Sequence, residues 1–281
     1  MENIIDLHTH STYSDGDFTP NNLIKYAASR GVDTISITDH DTLLGNKNTD
    51  FDLPGMKIIP GIELSAKIPK GRMHILGYNI DIHNRDLNEK MEELQNNSVE
   101  SVLAVVNQIK KEYNIILPKE EINNLIVQER NIGRPDVAVL CMKYGYADSV
   151  QDAFNRYLVE IYPKIKERMR GVSYEECIEL ILKSGGIPVL AHPNTLKRND
   201  LELLKLIREM ISLGLQGIEV YHSDHTEEET EKYLKIANQF DLLISGGTDY
   251  HGPTVKPHIE IGTGKKNNVL IKKLSIINNI K

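Results

Sequence analysis

IIDLHTH, from Ile4 to His10, is a short apolar run that ends in two histidines spaced two apart, and its pattern recurs along the chain. ISITDHD (Ile35 to Asp41), KIIPGIE (Lys57 to Glu63), RMHILGY (Arg72 to Tyr78), IPVLAHP (Ile187 to Pro193), GIEVYHSDH (Gly217 to His225) and LLISGGTDYH (Leu242 to His251) repeat it. Each carries His, Asp or Glu at or near the end of an apolar stretch of strand length. One buried, hydrogen-bonded histidine is ordinary packing. Seven such runs point instead to a polynuclear metal site built from imidazole and carboxylate.

Between these runs lie helical patterns. Thr19-Pro20 opens a helix over 21–30, which Gly31 ends. Ser173 with Glu176 forms a capping box at the head of a helix reaching Ser184, before Gly185-Gly186 and IPVLAHP. Helices over 201–212 and 227–239 precede GIEVY and LLISGG. Repeated β–α units predict a parallel sheet, and seven of them predict a closed α/β barrel. Between about 88 and 165 the strand pattern stops and helical spacing takes over, with further helices predicted at 119–129, 135–144 and 149–158. The expected division is a barrel of residues 1–87 and 166–281, interrupted by a helical insertion, 88–165. Pattern alone fits that insertion to a substrate lid or to a stabilising appendage.

With 281 residues, 40% hydrophobic and 26% charged, the chain is long enough for one large α/β domain. A net charge of −7 argues against non-specific binding of duplex nucleic acid. Cys141 and Cys177 lie in apolar helical patterns without a CxxC partner, as buried thiols do in a reducing compartment. No signal-peptide pattern and no membrane-length apolar stretch is seen, so a cytoplasmic enzyme without membrane partners is expected.

Residues two apart on a strand share a face, so His8 and His10 can grip one ion together. Asp249 and His251 have the same spacing, and in a barrel the first and last strands are neighbours. Nearly all these side chains fall at strand C-termini, where barrel chemistry is placed. His74 lies early in its run and would have to project inward from the strand itself.

HxH followed by Asp15, TDH at 38–40, Glu63, AHP at 191–193 and the final DxH together resemble the PHP (polymerase and histidinol phosphatase) family. The resemblance covers about 1–85 and 170–265. It implies a distorted (β/α)7 barrel holding two to three divalent ions, Mn, Fe or Zn. Carried over residue by residue, it implies that His8, His10, Glu63 and Asp249 hold a first ion and that Asp15, His40 and His251 hold a second. Glu63 would bridge to a third ion, also held by His74 and His192. Asp39 is read as a cap or structural residue. The chemistry implied is phosphoester hydrolysis by metal-activated hydroxide, without a covalent enzyme intermediate.

Within that family, Ile132-Gly-Arg-Pro135 in a helical insertion resembles a subgroup of nucleotide phosphatases. That resemblance implies a nucleoside 5′-monophosphate, a 3′,5′-bisphosphate or the 5′ end of a short oligonucleotide as substrate, with Arg134 gripping a phosphate. Two departures stand out. Asp136 follows where the subgroup has His, and VEIYPKIKERMRG replaces a glycine-rich, lysine-containing turn. Among Lys164, Lys166, Arg168 and Arg170, Lys164 is the candidate to supply the missing contact. His222 is assigned to substrate contact or proton transfer to the leaving group, and His225 to the surface. The competing readings are a histidinol-phosphate phosphatase and a non-catalytic metal-stabilised module.

Overall fold

The computed structural model describes residues 3–166 and 171–280. Its seven strands are β1 (Ile4–Thr9), β2 (Val32–Ile37), β3 (Lys57–Ala66), β4 (Met73–Tyr78), β5 (Ile187–Leu190), β6 (Gly217–His222) and β7 (Leu243–Gly247). They form one sheet in sequence order. The amphipathic helices are α1 (Pro20–Ser29), α8 (Tyr174–Lys183), α9 (Asp200–Ser212) and α10 (Glu227–Gln239), numbered in chain order with those below; the side chains of Ser173, Asn199 and Thr226 cap the last three. A one-turn α2 (Leu44–Lys47) follows β2. The fold is the mixed α/β, nearly closed seven-stranded barrel expected.

One expectation fails. The sheet is not uniformly parallel, because β4 runs antiparallel to both β3 and β5. The 67–72 link between β3 and β4 is too short for the crossover helix that a parallel pair requires. This reversal explains His74. The beginning of β4 lies at the barrel end where the other strands finish. His74 pairs with Ser65, on the strand face it shares with Glu63.

The barrel closes between β1 and β7. At the ligand-bearing end His10 N–H donates to Tyr250 O at 2.9 Å. At the other end the C-terminal segment fills the seam: Ile5 N–H donates to Ile271 O, and Ile244 N–H to Ser275 Oγ. A Cβ on Gly247 would lie 2.3 Å from His8 N, so glycine permits this approach. Buried Asp6 clasps the seam, accepting from Thr248 N (2.9 Å), Thr248 Oγ1 (2.6 Å) and Gly262 N (2.8 Å). Asp6→Ala would strand these donors, so unfolding stability should fall by roughly 3 kcal/mol or more. Denaturant unfolding checks this, and an unchanged midpoint would remove Asp6 from the closure.

Among the described residues, five helices precede α8 in the stretch between β4 and β5: α3 (Arg85–Tyr113), α4 (Lys119–Ile126), α5 (Arg134–Lys143), α6 (Val150–Ala153) and α7 (Val159–Lys166), with a π-helical turn over Phe154–Leu158. Helix α3 serves two cores. Leu87 and Met91 pack with the barrel, whereas Val102, Val105 and Ile109 join a separate apolar cluster that ends at Ile165. No helix among the described residues is long and apolar enough to cross a membrane.

Candidate metal centre

Glu63, fully buried on β3, is the centre of the site. Its two oxygens face different histidines. Oε2 lies 3.1 Å from His8 Nε2, 3.2 Å from His10 Nε2 and 3.1 Å from His40 Nδ1. Oε1 lies 2.8 Å from both His74 Nδ1 and His192 Nε2. Asp249 Oδ1 stands 3.2 Å from His10 Nε2 and 3.6 Å from His8 Nε2. On the other side of His10, His251 Nε2 is 3.3 Å from Asp15 Oδ1. The ligand atoms of His8, His10, Glu63 and Asp249 lie within 4.8 Å of one another, as do those of His10, Asp15, His40 and His251, and those of His40, Glu63 and His74. All nine sequence-predicted ligand positions thus converge on one end of the barrel.

The outer faces of the rings fix their inner ones. His8 Nδ1–H donates to Glu219 Oε1 at 2.8 Å, and His251 Nδ1–H to Asp249 O at 2.9 Å. His192 Nδ1 reaches Thr195 Oγ1 at 3.2 Å; that hydroxyl itself donates to backbone carbonyls, so it accepts from the ring. His10 Nδ1 meets Ser14 Oγ at 3.4 Å by the same logic, since that hydroxyl donates to Asp39. Each ring therefore turns its Nε2 inward, towards carboxylate oxygen. Burial keeps His192 and His251 neutral, pushing His251 down to about 4, and His74 falls to about 3 for the same reason. A neutral nitrogen lone pair facing a carboxylate at about 3 Å is repulsive unless a cation lies between them.

Burial opposes charge on His8 and His10 too, yet the carboxylates hold His8 well above its usual range and raise His10 to about 9. Burial pushes Glu63 and Asp249 up, but surrounding positive groups hold both well below the usual carboxylate range. His8 Nε2, His10 Nε2, His40 Nδ1, Asp15 Oδ1 and Glu63 Oε2 are buried atoms without a hydrogen-bond partner. Buried polar atoms are rarely left unpaired, and these five converge. The donor set fits divalent ions of the Mn, Fe or Zn type, whose binding would displace protons from His8 and His10.

The backbone is strained where ligands are presented. His192 (φ 21°) and Asp249 (φ 56°) are non-glycine residues at positive φ. Asp39 is not among the converging atoms. It accepts from Ser11 N, Ser11 Oγ and Ser14 Oγ at 2.6–2.7 Å, in line with a structural reading.

His222 stands beside this cluster. Its Nδ1 accepts the Asp224 N–H at 3.0 Å, so Nε2 carries hydrogen and donates to Asp249 Oδ2 at 3.2 Å. Its Nε2–H thus stands as a donor to Asp249, while its ring also falls with His8 and Glu219 in a group whose ligand atoms lie within 4.8 Å of one another. His225, expected at the surface, is buried: its Nδ1–H donates to Val220 O, and its ring packs 4.8 Å from that of Tyr233. Lys164 pairs with Glu112 of α3 on an exposed face, and among the described residues no ion pair or hydrogen bond joins it to the cluster. Arg168, Arg170 and the side chain of Lys166 lie outside the described residues.

Arg134 opens α5, half-buried, with its guanidinium carbon 5.9 Å from the centre of the Phe154 ring. The segment before it is fastened to the ligand loops: Arg130 Nη1 donates to Ser14 O (2.6 Å), Asn131 N–H to Tyr13 O (2.9 Å) and Asn131 Nδ2 to His40 O (2.9 Å). Asp136, the departure noted in the sequence, pins this segment by accepting from Gly133 N and pairing with Arg130.

Sequence patterning left Glu219 without a role. An acid inside the apolar run GIEVY was the available signal. Besides holding His8, its Oε2 accepts the His192 N–H at 2.7 Å, so it positions two predicted ligands. Burial raises its pKa, but His8, His222 and His192 pull it down to about 2. Glu219→Gln should weaken metal binding by roughly 10–100-fold, as losses of ligand-orienting partners do. Titration against a chelator measures this, and wild-type affinity would show that His8 needs no such support.

The PHP domain family matches residues 6–213, and the chain belongs to it. It is 29% identical over 268 residues to the 5′-3′ exoribonuclease Rnm of Escherichia coli K12, covering 92% of this chain and 88% of that protein. It is 28% identical to the phosphoribosyl 1,2-cyclic phosphate 1,2-diphosphodiesterase of Eggerthella lenta, covering 91% and 97%. It is 26% identical to the 3′,5′-nucleoside bisphosphate phosphatase of Chromobacterium violaceum, covering 89% and 87%. A Bifidobacterium adolescentis structure described as a metal-dependent phosphoesterase superposes with a TM-score of 0.81 at 25% identity, covering 99% of both chains. The chain is a phosphoesterase of this family, a hydrolase.

Proposed function

We propose that this chain hydrolyses phosphomonoesters of nucleotides: a nucleoside 5′-monophosphate, a 3′,5′-bisphosphate or the 5′ end of a short oligonucleotide. The observation that carries the reading is Glu63, whose two oxygens face separate histidine groups among orphaned ligand atoms at the barrel mouth. In this reading His8, His10, Glu63 and Asp249 hold one divalent ion, Asp15, His40 and His251 a second, and Glu63, His74 and His192 a third. Bound there, the ions would acidify water and draw charge from phosphoryl oxygens.

The chain's own residues do the rest. Glu219 keeps His8 aimed inward, and His222 offers Nε2–H to a substrate oxygen beside Asp249. Arg134 holds a phosphate from the insertion, which acts as a lid anchored through Arg130 and Asn131 to the loops of Asp15 and His40. The names of the exoribonuclease and bisphosphate phosphatase relatives support a nucleotide substrate.

The test is a substrate panel on metal-loaded protein: nucleoside monophosphates, 3′,5′-bisphosphates, 5′-phosphorylated oligonucleotides, a cyclic ribose phosphate and histidinol phosphate. Highest kcat/KM on one of the first three is expected. Preference for the cyclic ester or for histidinol phosphate would overturn the nucleotide phosphomonoester reading.

A further inference from the structure

Asp249 divides its two oxygens between different kinds of partner. Oδ1 faces the rings of His8 and His10, whereas Oδ2 takes His222 Nε2 at 3.2 Å and the ammonium of Lys256. Lys256 comes from the loop after β7 and keeps 29% of its side chain exposed. The loop is held locally: Lys256 N–H donates to Gly252 O at 3.0 Å, and Thr254 N–H to Asp17 Oδ2 at 2.7 Å. The other ion-pair partners of Asp15, Glu63 and Asp249 among the described residues are histidines. A fixed cation beside a seat for divalent ions is repelled by them, and the repulsion is relieved when an anion lies between.

We propose that Lys256 is a substrate-binding residue whose ammonium, next to His222 Nε2–H, holds a non-bridging oxygen of the phosphoryl group at the Asp249 side of the cluster. This rests on the phosphoesterase reading and adds to it a protein cation from the barrel, opposite in origin to the insertion's Arg134. An ammonium on a flexible stem with three donors suits a phosphate oxygen whose position shifts during displacement. Its pairing with Asp249 Oδ2 keeps it at the site edge, where a phosphate oxygen replaces that partner without moving the loop.

The experiment compares wild type, Lys256→Met and Lys256→Arg after loading with manganese, by elemental analysis and by calorimetric titration with inorganic phosphate. Expected are full metal content in all three and phosphate affinity lower by about tenfold or more in the methionine variant, the size of one lost charge-assisted hydrogen bond. Arginine should restore part of it. Equal phosphate affinity in wild type and Lys256→Met would overturn the assignment. So would a loss of metal in Lys256→Met sufficient to account for its weaker binding, because Lys256 would then act only through Asp249. If metal-loaded wild type neither binds phosphate nor hydrolyses an aryl phosphate, the phosphoesterase reading falls first and takes this assignment with it.

Discussion

Glu63→Gln is expected to lose more than one equivalent of metal and to lower kcat/KM by roughly three orders of magnitude or more, since the ions supply several kcal/mol of charge stabilisation. The reason is geometric. Glu63 Oε2 lies 3.1–3.2 Å from His8, His10 and His40, and Oε1 lies 2.8 Å from His74 and His192. An amide keeps the shape but loses the charge, and its NH2 end cannot bind a cation. His192→Asn, which touches only the Oε1 side, should lose about one equivalent. Elemental analysis of the two purified variants decides the matter, and equal losses would count against a bridging Glu63.

Arg134→Ala is the second large effect. With metal content unchanged, the variant should lose roughly 2–5 kcal/mol of transition-state binding on nucleotides, the usual result of truncating one partner of a buried charge pair. A small aryl phosphate, which needs only the cluster, should suffer much less if Arg134 holds a second phosphate. Lysine should rescue only in part, because an ammonium lacks the planar fork. Asn131 and Arg130 fasten the segment that leads into Arg134 to the backbone of His40 and Ser14. Wild-type kinetics on every nucleotide tested would make Arg134 a structural cation and leave the nucleotide reading to family resemblance.

The converging cluster was legible because side chains able to bind metal interrupt apolar strands, where packing alone would not place them. His8 with His10 and Asp249 with His251 come together as their spacing predicts, and Glu63 stands among them as the family resemblance implies. The reversal of β4 was not legible in the strand pattern, because a period of two reads the same in both directions. The brevity of the 67–72 link carried the information, and it converts His74 from an exception into an ordinary member of the barrel mouth.

Glu219 was visible as a buried acid, but its partner His8 lies 211 residues away, a pairing that sequence patterning does not supply. His225 was misread because polar residues in a turn-rich stretch usually face water. Here its buried ring makes a hydrogen bond to Val220 O. Lys256 carries no local signal at all, being one lysine in a loop, and the folding of that loop, through Lys256 N–H to Gly252 O and Thr254 N–H to Asp17, brings it back to Asp249.

The most direct test of the central claim, a multi-ion cluster around Glu63 that drives phosphoester hydrolysis, is metal stoichiometry followed through chelation with aryl phosphate turnover as the parallel readout. Two to three equivalents of divalent metal are expected in the active protein, with turnover that falls as they are removed and recovers when Mn, Fe or Zn is restored. Fewer than two equivalents at full activity, or hydrolysis that survives complete removal of metal, would contradict it.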